Sequence, residues 1–528
     1  MTEHSGALGD LLQIQHSALG DDEAMNLAAM IVDLASDAGD DTALVQALAL
    51  LDELAARPLS PSNDARLEYY RANAWSGRRA TQVQTWPWVS EAIDNELLAL
   101  RRALNHPAFA QLHRVQKAQI HTNHGNLLNH IGRFVEAIEA WDHALALVPK
   151  MAMANGNRGI GLAWYASRLY DPGHSALLAA SARSAFGIAL ANDALIESEG
   201  LEPALKMFGA YATSIDRQMD VQAVEDSVMG RHFPLGRSKS ERDYRQWCLT
   251  ERLFLNPLND ICADPIAAHD VLTLPTLVEV GLGREDNGPP LAIRYYNLLK
   301  QEYVTARYAL YEALTSRSVH FSDRGVLLHD TLDFPAFGFA VERAKLAFRT
   351  AYAILDKVGY FLNSYLSLGH AERQVSFRNV WFASTSGRNN PLHQCFVDAG
   401  NWPLRGLFWL SKDIFDDAFK SVTMPDAREL YDLRNHLEHK YVSVHDNVLA
   451  EMALSRRKSI PSLYDIGFDD LTARALRQLK LSRASLIYLS LGVHTEEARR
   501  EAERGADGLK MSMSLYTIRD NDKRRDPW

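Results

Sequence analysis

The chain has 528 residues, room for about three domains, and its 47% hydrophobic and 23% charged composition excludes a chain that is disordered throughout. With 56 basic against 66 acidic residues the net charge is −10, which excludes a whole-surface electrostatic grip on nucleic acid. Its 3 cysteines exclude a disulfide framework, and no run approaches the roughly 18 uncharged apolar residues that a membrane span needs.

The opening MTEHSGALGD is acidic and lacks an apolar h-region, so no secretory signal is expected. With the scattered cysteines this places the chain in the reducing cytoplasm, away from membranes. The 30 glycines and 19 prolines fall below the average share of about 12%, which favours long helices. Residues 1–20 read as a flexible N-terminus. From residue 21 apolar residues recur at helical spacing, as with Leu44, Ala47, Leu48, Leu51 and Leu54, until Pro58 and Pro61 interrupt.

Residues 118–151 resemble the tetratricopeptide repeat, a helix–turn–helix of about 34 residues. Gly125 permits close helix contact, Ala137 and Ala144 are small contact residues, Trp141 is the large knob, and Pro149 ends the second helix. Gly159 and Ala103 fall one period away, while Asp171 and Pro107 break the pattern. The expectation is one clear repeat with degenerate neighbours, making an array over 21–229. Such arrays bind proteins or peptides on a concave surface. His121, His124 and His143 lie in the same stretch, but no carboxylate or cysteine completes a ligand set, so no metal is expected.

Residues 230–320 gain Gly, Pro, Asn and Asp and read as an irregular connector packing on the bundle. The GLG at 281–283 is too short for a phosphate loop. From 321 to 504 long amphipathic helices return, with one apolar stripe through Val341, Ala344, Phe348, Leu355, Val358 and Leu362. Leu407, Leu410, Ile414 and Ala418 form a second stripe. A third helix starts at Pro425 and a fourth covers roughly 469–493, which together make an antiparallel bundle before a polar tail at 505–528. The fold expected is therefore all-α.

The third helix carries Arg434-Asn435-His436-Leu437-Glu438-His439. Arg-x₄-His occurs four times in the chain, and Asn stands second only at Arg388…His393 and Arg434…His439. Gly387 and Pro391 put the first in a turn, so the second is the candidate. At about 100° per residue, Leu430, Leu433, Leu437 and Tyr441 form a core stripe, with Asn435, His436 and His439 opposite and Arg434 flanking it. Arg434 and Glu438 also stand at ion-pair spacing, which a plain surface helix would show.

In this motif the chain resembles the HEPN superfamily, helical bundles marked by Arg, four to six residues, then His, often Arg-Asn-x-x-x-His in ribonuclease members. YRQWCLTERLFLNPLNDI (244–261), HFSDRGVLLHDTLDFPAF (320–337) and LRGLFWLSKDIFD (404–416) resemble the branch in which tetratricopeptide repeats precede the bundle. The resemblance implies a metal-independent endoribonuclease with Arg434, Asn435 and His439 as catalytic residues and no cofactor. Such enzymes are often toxins or antiviral defence effectors. Two bundles pair so that their motifs meet, which implies a homodimer acting on RNA, with an unknown protein or peptide on the repeats. The second reading is a non-catalytic scaffold whose bundle dimerises or binds a nucleotide.

The residue types suit that chemistry. Histidine, with an ordinary pKa of about 6.5, serves as base or acid at neutral pH. Arginine stays charged and holds an anionic phosphorane. Asparagine orients, and His436 should matter least. Arg456, Arg457 and Lys458 are the nearest basic cluster. His329-Asp330 lacks the further ligands of a His-Asp phosphohydrolase, and no P-loop, HExxH or nucleophile elbow occurs.

Overall fold

The computed structural model describes residues 8–81, 87–197, 200–278, 290–384, 390–416, 419, 425–446, 460–504 and 514–523. The GLG at 281–283 and Ala418 lie outside the described residues. Among the described residues the architecture is all-α, with one small sheet. The N-terminal half is a row of helices: α1 (Asp21–Ala38), α2 (Asp41–Ala55), α3 (Pro61–Ala80), α4 (Glu91–Asn105), α5 (Arg114–His130) and α6 (Phe134–Leu147). It continues through α7 (Ala152–Arg168), α8 (Pro172–Ala189), α9 (Glu202–Gln218) and α10 (Val221–Val228). Short side chains set the boundaries. The carboxylates of Asp40 and Asp171 accept from Ala43 N and His174 N, capping α2 and α8, and Pro61 and Pro172 sit where a missing N–H costs nothing.

Residues 118–151 form the expected helix pair, α5 against α6. Trp141 is buried, and a Cβ added to Gly125 or Gly161 would meet its indole at 2.6 and 2.4 Å, so the knob seats between α5 and α7. The period itself loosens, because α5, α7 and α9 begin at 114, 152 and 202. Of the stretch expected to be flexible, residues 1–7 lie outside the described residues, and residues 8–20 are more ordered than expected. Leu8 is buried with α1 and α2, and Arg57 donates to the carbonyls of His16 and Leu19. Burying one leucine and satisfying two carbonyls offsets the entropy of ordering that segment.

The expected irregular connector at 230–320 requires correction. It contains α11 (Lys239–Thr250) and the 25-residue α12 (Leu291–Thr315). Tyr296, Leu299, Tyr303, Ala306, Leu310 and Ala313 of α12 are buried at helical spacing, so this helix is a wall of the bundle. The remaining walls are α13 (Phe339–Tyr365), the short α14 (Gln394–Ala399), α15 (Trp402–Phe415), α16 (Pro425–His439) and α17 (Phe468–Arg504). Between α16 and α17 lie β1 (Tyr441–His445) and β2 (Leu463–Gly467), paired in parallel with Tyr441 opposite Leu463 and His445 opposite Gly467.

Array and bundle share one core, running from Ala65 in α3 to Val493 in α17. At their junction the rings of Phe134 and Trp402 stack 4.5 Å apart, and Trp402 Nε1 donates to the Asn129 carbonyl at 2.7 Å. Asp413 of α15 accepts both guanidinium nitrogens of Arg101, at 2.8 and 2.7 Å, and also pairs with Arg133. Gly132 and Gly406 let two backbones touch, since a Cβ on Gly132 would fall 2.2 Å from the Trp402 carbonyl. No helix among the described residues is long and apolar enough to cross a membrane.

Candidate active site on the motif helix of the bundle

Helix α16 is held by Leu430 and Leu433, both buried against the bundle. The helix ends at His439, sooner than the expected stripe requires. Tyr441 lies in β1 and is 73% exposed, so it does not belong to the core stripe. Tyr441-Val442-Ser443-Val444 alternates and carries β-branched side chains, which favours a strand.

This ending places the motif at a free helix terminus beside the sheet. Arg434 leaves the flank of the core stripe and runs along α13. Its guanidinium carbon lies 5.6 Å from the centre of the Tyr352 ring, and Nη2 lies 3.8 Å from Asp356 Oδ2. Arg434 Nη1 donates to Asn435 Oδ1 at 3.2 Å, so the two neighbours act as one polar unit. Burial pushes the Asp356 carboxyl up, while the Phe377 N–H and the Arg434 charge pull it back. Arg434 is therefore aimed by one ring and one carboxylate, with part of its surface open.

The Arg434–Glu438 pair that a plain surface helix would show is not formed. Glu438 instead takes two hydrogen bonds from Arg349 of α13, at 3.1 and 3.2 Å. Those bonds hold the Glu438 carboxyl below its usual range, with Arg434 and His439 adding to the effect. Arg434 thus has its ion pair with Asp356 of α13 rather than with Glu438 of its own helix. His439 is exposed at the last turn. His436 turns the other way: its Nδ1–H donates to the Asp432 carbonyl at 2.7 Å, and its ring sits 5.3 Å from Tyr464 of β2. Lys440 donates to the Pro461 carbonyl at 3.0 Å.

Behind this surface, buried His445 ties the sheet to the segment before α13. Its Nε2 lies 2.8 Å from Asp465 Oδ1 and its Nδ1 3.1 Å from the Asp333 carbonyl. The structure thus gathers Arg434, Asn435 and His439 on one helix and adds Arg349, Tyr352 and Asp356, which the motif alone did not name. Their signal was present as spacing: 349, 352 and 356 stand three and four apart, one face of α13.

The other candidates stand elsewhere. Arg388 lies outside the described residues, as do Arg456, Arg457 and Lys458, and His393 caps the short α14. Of the Arg101…His106 pattern, Arg101 belongs to the junction and His106 pairs with Asp64. His121 and His143 pack ring to ring with centroids 5.4 Å apart, and His124 is buried nearby. No group of three potential metal ligands occurs among the described residues.

A guanidinium and an exposed imidazole on one helix offer a charge that can bind a phosphate and a group that can move a proton. Comparison with known families gives a match over residues 283–496 to the LA2681-like HEPN family. The matched stretch runs from just before α12 into α17 and includes the motif helix. No curated protein and no solved structure matches the chain.

Proposed function

We propose that the HEPN-like bundle is a metal-independent endoribonuclease and that the helical array is its sensor or partner-binding module. The observation that carries this reading is Arg434. Its guanidinium is oriented by Tyr352 and Asp356 while Glu438 is hydrogen-bonded by Arg349, and it stands one residue beyond buried Leu433 on the helix that exposes His439. In the reaction the 2′-OH attacks the adjacent phosphorus, the bond from phosphorus to the 5′ oxygen breaks, and the products are a 2′,3′-cyclic phosphate and a 5′-OH. A neutral imidazole takes the 2′-OH proton, and an imidazolium gives one to the leaving oxygen. Arg434 holds the charge that builds on the non-bridging oxygens. Two bundles facing each other supply both forms of His439, so the working unit is a homodimer. The setting is cytoplasmic, as a toxin or antiviral defence effector whose array recognises a protein or peptide trigger.

The test uses purified full-length chain and end-labelled RNA. Cleavage should persist in EDTA, leave cyclic phosphate ends, and disappear in His439→Ala. Activity lost in chelator and restored by Mg²⁺ or Mn²⁺ would refute the metal-independent chemistry.

A further inference from the structure

The segment joining α12 to α13 is an arm with its apolar side chains turned outward. Between Phe321 and Phe337, the side chains of Phe321, Val326, Leu327, Leu328, Leu332 and Phe337 are 53–88% exposed. Three of these are consecutive. In an extended chain neighbouring side chains point to opposite faces, so a segment lying on the body would bury every second one. Here neither set is covered. Residues Leu327–Thr331 also make no backbone hydrogen bond among the described residues, which leaves a run of unpaired peptide groups.

The arm is nevertheless built, and both ends are fastened. Asp323 Oδ2 accepts from Phe339 N at 2.9 Å, and Ala336 N donates to the Val444 carbonyl of β1 at 2.6 Å. Leu332 and Phe334 take φ of 61° and 57°, a left-handed conformation that bulky residues avoid. Asp330 Oδ1 accepts from Leu332 N at 2.8 Å and stabilises that turn. Strained backbone thus holds apolar side chains in water rather than folding them inward.

We propose that this arm joins two copies of the chain, pairing antiparallel with its symmetry mate about Leu327. The sequence is self-complementary in that register. Arg324 of one copy falls opposite Asp330 of the other, and Val326 falls opposite Leu328. Neither Arg324 nor Asp330 has an ion-pair partner within the described residues, so each is available to the other copy. The area also suits a second copy. At roughly 100 Å² for each of the six side chains, the arm offers about 600 Å² per protomer and about 1,200 Å² in all, the lower end of stable interfaces. With a net charge of −10 on each copy, association must be apolar and strengthened by salt screening. Because Pro335 bridges to His445, six residues past His439, the contact would sit at the motif end of the bundle. The inference deepens the homodimer of the proposed function, whose contact it names, and exposure and register carry it without the nuclease chemistry.

Sedimentation of the full-length chain at micromolar concentration tests the proposal without any RNA. The wild type should be a dimer. Leu327→Asp with Leu328→Asp should weaken the dimer by tenfold or more with an unchanged circular dichroism spectrum. Because Leu327 would lie on the two-fold axis, Leu327→Cys should form a disulfide-linked dimer under mild oxidation, which the wild type with Cys248, Cys262 and Cys395 should not. A monomeric wild type, an unchanged dimer in the double variant, or an unlinked Leu327→Cys would each overturn it. So would a monomer that binds lipid vesicles through the arm. Loss of cleavage in a chain that still cross-links would fault the nuclease reading alone.

Discussion

At the scale of single residues, four side chains of one helix have separate fates. Substituting Ala for His439 or Arg434 should lower RNA cleavage by roughly 10²-fold or more, the range for losing a general acid–base or a charge held on the transition state. Asn435→Ala should cost less, because its carbonyl oxygen only receives an Arg434 N–H. His436→Ala should cost least in chemistry, since its ring faces Tyr464 and its Nδ1–H is spent on Asp432. Arg434→Lys should not restore activity, because an ammonium cannot lie against the Tyr352 ring and reach Asp356 and Asn435 together. Initial rates on labelled RNA check all five, with circular dichroism confirming folding. Arg434 and His439 stood out through the motif together with the resemblance to the HEPN superfamily, since the spacing alone occurs four times in the chain. Arg349, Tyr352 and Asp356 did not, because nothing in a linear chain says which helix lies against which. The helical wheel erred where the helix stops, since it carried the stripe on to Tyr441, which belongs to a strand, and it grouped His436 with His439 although its ring turns to Tyr464.

At the scale of elements, helix α5 carries a pH dependence. Burial and the neighbouring His143 push His121 down from 6.5 to about 4, and burial with Arg79 and Arg405 pushes His130 down to about 3. Both are neutral in the folded state at pH 7, so acid favours the unfolded chain, which protonates first. Stability should be full above about pH 6.5 and fall progressively as pH drops towards 4. The melting temperature measured from pH 7 to pH 5 should therefore decline, and His121→Gln should flatten that slope. The stripe through Val341 and Val358 made α13 legible as a helix, because one apolar face at helical spacing has few other meanings. Helix α12 was hidden by its composition. Its buried face uses Tyr and Ala beside Leu, and it comes after a stretch rich in Gly, Pro and Asn that suggested a loop.

At the scale of the molecule, the array and the bundle are one packed body, and Asp413 is the fastening between them. Its carboxylate bridges Arg101 and Arg133, both buried, from the array. Asp413→Ala would remove the carboxylate that Arg101 grips at 2.8 and 2.7 Å and leave Arg133 only its pair with Glu136, and breaking a buried pair costs about 3–5 kcal/mol. Chemical denaturation should show that loss, whereas Asp52→Ala, on an exposed pair with Arg71, should change stability by about 1 kcal/mol or less. Gly406→Ala should also destabilise, because the new methyl would meet the Gly132 carbonyl at 2.2 Å. The sequence by itself determined the helical class, the order of array before bundle, the helix pair around Trp141, and the position of the Arg434–His439 motif. Each of these comes from local spacing, which a chain carries whatever it packs against. Only the tertiary structure decided that α12 is a bundle wall, that β1 and β2 pair, that Arg349 and not Arg434 engages Glu438, and that the arm at 321–337 stays uncovered. Those depend on which surfaces meet across hundreds of residues, as Arg101 meets Asp413, and such contacts leave no periodicity in the chain.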